Sequence, residues 1–215
     1  MGKTGTREGL ARRRACDELR RRLIEGQWPP ATVLQEQDLA DELELSKTPV
    51  REALQTLSVR HLVRPVPRLG YVVSSIELED LAEVFGFRAL LEIELVATAA
   101  SRGAVLKPAA AESADGSMWQ VEWNFHSQLA QAGGGPRIRR TVEELLDEAS
   151  RAMHYLSFPP EILRALVDDH QALLEAIAAR DVVLARALVT IHLTRMRESL
   201  MASLRQKLRD QNLLA

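Results

Sequence analysis

Hydrophobic positions recur with a helical period along the first part of the chain. Between residues 9 and 25, apolar residues alternate with basic ones, and the stretch GQWPPATVL then ends the pattern with a glycine and two prolines. A second helical pattern follows in LQEQDLADELEL, residues 34–45. A third lies in KTPVREALQTLSVR, residues 47–60, which follows a serine suited to an N-cap and has proline in its first turn. Two short helices with so short a joint predict a helix-turn-helix.

The period changes from helical to β after these helices. Two β-branched runs, LVRPV and YVVSS, flank a turn that contains Arg68 and Gly70, which predicts a β-hairpin. A hairpin directly after a helix-turn-helix is a wing, so the second of the two helices can enter a major groove while Arg68 reaches phosphate or the minor groove. The predicted DNA contacts are outward residues of the two helices and the wing tip: Gln37, Lys47, Thr48, Arg51, Gln55, Arg68 and Gly70.

From Leu78 onward the pattern is almost entirely helical. Amphipathic segments lie at about residues 77–101, 118–133, 136–157, 160–180 and 182–208, separated by stretches such as GGGP and SFPP. Because each segment must bury its apolar stripe on another, together they predict a helical bundle. The predicted fold class is mainly α, with a winged helix-turn-helix domain in residues 1–75 and an all-α helical domain in residues 76–215.

Composition places the chain among ordinary globular proteins. Hydrophobic residues make up 46% and charged residues 27% of the sequence, which excludes disordered and collagen-like classes. The net charge of −2 combines a basic first part, residues 1–75, with an acidic remainder, which agrees with a polyanionic partner for the first part. No apolar run suits a membrane span or a signal-peptide core, and the single cysteine, Cys16, fits a reducing compartment. We therefore expect a cytoplasmic protein.

One polar pair lies in an otherwise apolar helical stretch, VEWNFHSQLAQAGG, residues 121–134. Glu122 and His126 are four residues apart, so a helix stacks them one turn apart on the same face, where they can bind one ion. The same spacing fits an ion pair or a histidine packed in the core. The pair alone does not decide between these interpretations.

Two longer segments carry a family resemblance. LQEQDLADELELSKTPVREALQTL followed by LVRPVPRLGYVV resembles the winged helix-turn-helix of GntR-type bacterial transcription regulators. The segments EVFGFRALLEIELVATAA, NFHSQLAQAGGGP and DDHQALLEAIAARDVVLARALVTIHL resemble the helical effector domain (FCD) of the FadR subfamily. The resemblance implies a homodimer that binds pseudo-palindromic operator DNA under the control of a small carboxylate. It also implies a metal site formed by Glu122, His126, His170 and His192.

The chain departs from the family pattern at several positions. Glu122 stands where aspartate is usual, and Lys47 replaces an arginine whose fork suits guanine. Glu44 and His61 occupy places where glycine is usual. The interval from Glu92 to His126 is also short for the family, which indicates that a helix there is missing or truncated.

The spacing of the other two histidines supports a shared site. His170 and His192 lie at nearly equal distances from the break at Arg180 and Asp181, so two antiparallel helices joined by a tight turn bring them to the same height. Both stand among apolar residues, which predicts that they face inward. Three imidazoles and a carboxylate suit Zn²⁺, Ni²⁺, Mn²⁺ or Fe²⁺, and zinc is the expected cofactor. A polar core network without metal is the alternative interpretation.

Arg88 is the candidate anchor for the effector, because a guanidinium binds a carboxylate through two hydrogen bonds. An ion pair with Glu92 one turn later is the competing interpretation. The leading functional hypothesis is a DNA-binding repressor whose operator affinity responds to a small organic acid at the metal site. A direct metal sensor is the first alternative. A metal-dependent enzyme is the second, and it is disfavoured because the sequence shows no additional base, nucleophile or phosphate loop.

Overall fold

The computed structural model describes residues 3–108, 118–156, 158 and 160–211. The chain divides into two compact units, and the boundary between them falls after Ile76. The first unit combines helices with a small sheet, whereas the secondary-structure elements described in the second are all helices. Within these described ranges, no helix is both long enough and apolar enough to cross a membrane.

The first unit contains the predicted helix-turn-helix and hairpin. Its helices are α1 (Lys3–Ile24), α2 (Glu36–Glu42) and α3 (Lys47–Val59), and its strands are β1 (Val33–Leu34), β2 (Val63–Val66) and β3 (Gly70–Val73). The strands form an antiparallel sheet in the order β1-β3-β2, in which Val33 and Arg64 both lie opposite Val72. Strands β2 and β3 are the predicted wing. Strand β1 was not predicted, and α1 begins at Lys3 rather than at residue 9 as the pattern suggested.

Apolar side chains from the helices and the sheet form the core of the first unit. Leu19 and Leu23 of α1 and Leu54 and Leu57 of α3 are fully buried. The helical period places each pair on one face, so the two helices bury their apolar stripes while their polar residues remain outside. This core holds α3 in place and leaves its polar face free.

Two joints in the first unit require a left-handed backbone. Glu44, between α2 and α3, has a φ of 55°, and His61, after α3, has a φ of 58°. The left-handed conformation is unfavourable for residues with a Cβ and is readily adopted by glycine, which is the usual family residue at both positions. Ser46 is the N-cap residue of α3 as predicted, although its side chain makes no capping hydrogen bond.

The second unit is built from five helices in its described residues. These are α4 (Leu78–Arg102), α5 (Met118–Gly133), α6 (Pro136–Leu156), α7 (Pro160–Ala178) and α8 (Val182–Asp210), close to the predicted segments. The tight turn between α7 and α8 includes Arg180 in the left-handed region, with a φ of 58°. Asp181 then caps α8, because its side chain accepts a hydrogen bond from the Leu184 N–H at 2.9 Å.

Helix α4 is central to this bundle and contacts all four of the other helices. It runs antiparallel to α8, since Arg88 lies beside Met196 whereas Glu94, later in α4, binds Arg186, which is earlier in α8. The end of α5 approaches α4 closely, because a Cβ added at Gly133 would lie 2.1 Å from the Leu95 carbonyl oxygen. The bundle thus surrounds α4 with residues from every other helix.

The interval between α4 and α5 is where the sequence indicated a missing or truncated family helix. Residues 104–108 are not helical. The rest of the interval, residues 109–117, lies outside the described residues, so this prediction stays a prediction.

Candidate functional site

Four side chains with metal-ligand chemistry converge inside the second unit. Glu122 and His126 extend from α5, His170 from α7 and His192 from α8. Each offers a carboxylate oxygen or an imidazole nitrogen, and these atoms all lie within 4.8 Å of one another. None of the four residues is more than 3% exposed. The fold therefore brings together every residue of the predicted ligand set.

Glu122 links the three histidines of this cluster. Its Oε2 lies 3.4 Å from His126 Nε2 and 3.3 Å from His192 Nε2, and its Oε1 lies 3.3 Å from His170 Nε2. The Nε2 atoms of His126 and His192 are 3.0 Å apart. Atoms that bind one ion at about 2.1 Å in tetrahedral or octahedral geometry are separated by roughly 3.0 to 3.4 Å. The observed spacings match those of ligands that share an ion.

Several polar atoms of the cluster have no hydrogen-bond partner among the described residues. They include both carboxylate oxygens of Glu122 and both ring nitrogens of His170. A buried polar group left unpaired costs about 1–3 kcal/mol, and a charged one costs more. A divalent cation would satisfy the carboxylate and the inward imidazole nitrogens together. The donor set thus fits a divalent metal ion.

The charges in the cluster depend on burial and on the neighbouring groups. Burial raises the pKa of Glu122, but His170 and His192 outweigh it and hold that pKa well below its usual value. Burial lowers the pKa of His170 to about 4, although Glu122 opposes the shift. Burial also lowers the pKa of His192, but Glu122 and Asp169 outweigh it and raise the pKa to about 9. A metal ion that binds His192 through Nε2 competes with a proton for that nitrogen.

Glu92 of α4 lies directly behind the cluster and is fully buried. It forms hydrogen bonds with His126 Nδ1 and with Arg88 Nε, the latter at 2.6 Å. Burial raises the pKa of Glu92, but the charges of Arg88 and His126 outweigh it and lower the pKa to about 2. The sequence indicated only the pair with Arg88, because the contact with His126 joins residues on different helices.

Arg88, the predicted effector anchor, is 1% exposed. Its ion pair with Glu92, the competing interpretation from the sequence, is present. Its Nη1 lies 3.6 Å from Met196 Sδ, whereas its Nη2 has no hydrogen-bond partner among the described residues. The guanidinium therefore makes the predicted ion pair and still has a buried donor available for a ligand.

The predicted DNA contacts on the helices lie on the surface of the first unit. All of them are exposed: Gln37, Lys47, Thr48, Arg51 and Gln55. The side chain of Arg51 is 53% exposed, and its Nε donates to Glu36 Oε2 at 3.0 Å. Gln37 donates to Asp41 at 2.6 Å. The sequence did not indicate these two acidic partners, both of which lie on α2.

The two wing residues differ in their structural role. Arg68 is exposed at the tip and has a φ of 65°. Gly70 has a φ of 101°, and a Cβ added there would lie 2.6 Å from the Leu34 carbonyl oxygen. Gly70 therefore allows β3 to approach the end of β1, a packing role that the hairpin pattern did not reveal.

A winged helix-turn-helix followed by an all-helical unit is the architecture of a bacterial transcription regulator. Two family models match the chain: the bacterial regulatory proteins of the gntR family over residues 11–73, and the FCD domain over residues 83–195. The chain belongs to the GntR family, in its FadR-like subfamily with an FCD domain.

Individual relatives agree with this assignment. The chain is 31% identical over 195 residues to the HTH-type transcriptional repressor GlaR of Escherichia coli (strain K12), an alignment that covers 81% of this chain and 89% of that protein. It is 38% identical over 79 residues to the gluconate operon transcriptional repressor of Bacillus subtilis (strain 168), covering 37% of this chain and 32% of the repressor. These families and relatives are transcription regulators, so this chain is a DNA-binding transcription regulator and not an enzyme.

A solved structure shows the same fold. The GntR transcriptional regulator from Rhodococcus sp. RHA1 superposes with a TM-score of 0.75 at 23% sequence identity. The superposition covers 89% of this chain and 97% of that one. The prediction of a mainly α protein with a winged helix-turn-helix and a helical bundle is confirmed.

Proposed function

We propose that this regulator is a repressor whose operator binding is controlled by a small organic acid at a metal site in the second unit. The observation that carries the proposal is the buried convergence of Glu122, His126, His170 and His192 on the chain that also bears a winged helix-turn-helix. Unpaired ionisable groups in a protein interior are costly. A ligand that binds there offsets this cost, and its binding can be coupled to DNA affinity.

The proposed cofactor is a zinc ion, with nickel, manganese and iron as alternatives. Glu122 would hold it through a carboxylate oxygen, and the three histidines through Nε2. The ion would supply a positive charge that attracts an anionic ligand. Two nearby carboxylates do not cancel this charge, because Glu92 is paired with Arg88 and Asp169 with Arg195.

The proposed effector is a small organic acid, and its proposed anchor is Arg88. The unpartnered Nη2 of Arg88 supports this choice, since a guanidinium donor and a carboxylate form a strong, charge-assisted hydrogen bond. The same observation favours an organic effector over the second candidate function, a direct metal sensor, which would need no buried cation beside the cluster.

The proposed operator contacts are the exposed side chains of α2, α3 and the wing tip, with Arg51 as the main base-reading residue. We propose that the regulator acts as a homodimer, because two copies of a winged helix-turn-helix match the two half-sites of a pseudo-palindromic operator. Sedimentation of the purified protein with and without such a duplex tests this part.

The proposed function is tested by comparing His170→Ala with His154→Ala. His154 is an exposed histidine on α6 and is not part of the cluster, so its substitution is a matched control. Element analysis after zinc loading should find metal in the wild type and His154→Ala but not in His170→Ala. A thermal-shift screen against small carboxylates should give hits for the first two proteins only.

DNA binding is measured with duplexes that the wild type selects from a random pool. His170→Ala should bind these duplexes without responding to the acid found in the screen. Arg51→Ala should bind them more weakly by about 1–3 kcal/mol and keep its zinc content. Equal zinc content and equal acid response in His170→Ala and the wild type would contradict the proposal. DNA affinity that changes with zinc alone, without any acid, would establish the direct metal sensor instead.

A further inference from the structure

Two of the three clustered histidines have a carboxylate beside their outer nitrogen. His126 Nδ1 is hydrogen-bonded to Glu92 Oε2, and His192 Nδ1 lies 3.4 Å from Asp169 Oδ2. We propose that Glu92 and Asp169 are positioning residues that fix the proton and the orientation of these imidazoles for metal binding. This inference rests on the metal site proposed above.

The positions of the ring nitrogens support this role. In both His126 and His192 the Nε2 atom faces inward, toward Glu122 Oε2, at 3.4 and 3.3 Å. A neutral imidazole that binds an ion through Nε2 must carry its proton on Nδ1. A carboxylate beside Nδ1 accepts that proton in a hydrogen bond, holds the ring and increases the basicity of the inward nitrogen. Glu92 makes this hydrogen bond with His126. Asp169 lies in the same position beside His192 Nδ1, at an ion-pair distance of 3.4 Å, and that nitrogen has no hydrogen-bond partner among the described residues.

Each of the two carboxylates is itself held by an arginine. Arg88 Nε donates to Glu92 Oε1 at 2.6 Å, and Arg195 Nη1 donates to Asp169 Oδ2 at 2.5 Å. The same order of groups, arginine to carboxylate to histidine, thus occurs twice around one cluster. The arginines limit the rotation of the two carboxylates, so that each carboxylate faces its histidine.

The third histidine is positioned in a different way. His170 stacks on Phe125, with ring centroids 4.0 Å apart and an interplanar angle of 13°. Its Nδ1 has neither a hydrogen-bond partner nor an ion-paired carboxylate among the described residues, and its ion-pair contact is through Nε2 to Glu122. Packing therefore orients His170, whereas carboxylates orient the other two rings, and only those two ligands should respond to removal of a carboxylate.

Two neighbouring acidic residues provide matched controls. Glu94 lies on the same helix as Glu92, but its side chain is 67% exposed and binds Arg186. Asp168 precedes Asp169 on α7 and is exposed, whereas the Asp169 side chain is only 15% exposed. Substitution of either control removes the same charge from the same helix without touching a histidine of the cluster.

The experiment measures Zn²⁺ affinity by competition with a chromophoric chelator. Asp169→Ala removes both the acceptor and its charge, and we expect it to weaken zinc binding by about 10- to 100-fold. Glu92→Gln keeps an acceptor oxygen but removes the charge, so the expected loss is near the lower end, about tenfold. Asp168→Ala and Glu94→Gln should remain within about twofold of the wild type, because neither side chain supports a ligand.

A second readout separates positioning from a general loss of structure. The zinc-free Asp169→Ala protein should keep the wild-type helix content by circular dichroism, since Arg195 is 36% exposed and can be solvated when its partner is removed. The visible absorption of bound Co²⁺ should change in Asp169→Ala and Glu92→Gln but not in the controls. If Glu92→Gln does not fold, Asp169→Ala decides the question alone.

Three outcomes would overturn the inference. Wild-type zinc affinity in Asp169→Ala, combined with loss of zinc in His170→Ala, would reject the positioning role and leave the metal site standing. If Asp169→Ala loses helix content as well as zinc affinity, Asp169 supports the fold and is not a positioning residue. No zinc binding by the wild type would reject both the metal site and the positioning residues.

Discussion

The interiors of the two units differ in kind. The first unit has an apolar core, in which Leu19, Leu54 and Leu57 are typical members. All the buried polar and charged side chains of the described residues belong to the second unit: Arg88, Glu92, Glu122, His126, Ser127, Asp147, Ser150, Arg151, His170 and His192. Buried ionisable groups cost free energy unless they are paired or bind a cation. The first unit presents its chemistry on its surface, whereas the second encloses it.

This difference agrees with what each unit contacts in the proposed function. DNA is too large to be enclosed by the first unit, so the residues that contact it must lie on the surface of that unit. Apolar packing beneath them holds these residues in place. A small acid or an ion is bound more strongly where water is excluded. The second unit therefore accepts a polar interior, and its stability should depend on what occupies that interior.

The largest effect is expected from Leu54→Ala, which tests the apolar core of the first unit. Leu54 is fully buried, so the truncation should lower the free energy of unfolding by about 3 kcal/mol through lost burial and a new cavity. Urea denaturation followed by circular dichroism measures the change. Val59→Ala on the same helix, where the side chain is 78% exposed, should cost less than about 0.5 kcal/mol. Similar losses of unfolding free energy in Leu54→Ala and Val59→Ala would show that the apolar core does not stabilise the first unit as described.

An intermediate effect is expected from zinc itself, which tests the polar interior of the second unit. At a free zinc concentration about 100-fold above Kd, binding should stabilise the folded state by about 2.7 kcal/mol. Calorimetry with zinc and with a chelator should show this as a rise in Tm for the wild type and for Leu54→Ala. An equal rise in His170→Ala would show that zinc binds somewhere other than the cluster.

The smallest effect is expected from Glu18→Gln, which tests a surface ion pair of the first unit. Hydrogen bonds from Arg21 and Arg22 lower the pKa of Glu18 to about 2. Because solvent screens such a pair, we expect its loss to cost only about 1 kcal/mol at pH 7. The folded-state pKa is depressed, so this contribution is complete above the ordinary glutamate pKa of 4.5 and disappears as the pH falls from there toward about 2.

Urea midpoints of wild type and Glu18→Gln at pH 7, 5 and 4 measure this dependence. The difference between the two proteins should be constant at the two higher pH values and smaller at pH 4. A difference that grows as the pH falls would mean that the carboxylate is not stabilised by the arginines.

Elements with a repeated pattern could be predicted from the sequence. The helices from α2 onward and the hairpin were found close to their observed positions because each has several residues that report the same period. Strand β1 has only two residues, Val33 and Leu34, which show no period of their own. It is a strand because β3 pairs with it, and this pairing joins residues far apart in the chain.

In the candidate site too, features that depend on spacing along the chain could be predicted, whereas contacts between helices could not. The spacing of Glu122 and His126, and that of His170 and His192 about their turn, was visible in the sequence. The contacts of Glu92 with His126 and of Phe125 with His170 were not, because each joins residues on different helices. For Glu92, the sequence offered one local indication, which is its position one helical turn after Arg88.

The sequence by itself determined the two kinds of unit and the four residues proposed as metal ligands. Periodicity, turn residues and charge are local properties, and they are sufficient for the two kinds of unit. The set of four residues rested on spacing together with the family resemblance. The tertiary structure decided which carboxylate stands behind which imidazole, that Arg88 is buried with a donor unpaired, and that Gly70 is needed for contact with β1. These features depend on distances between helices or strands, and such distances exist only once the apolar faces have packed.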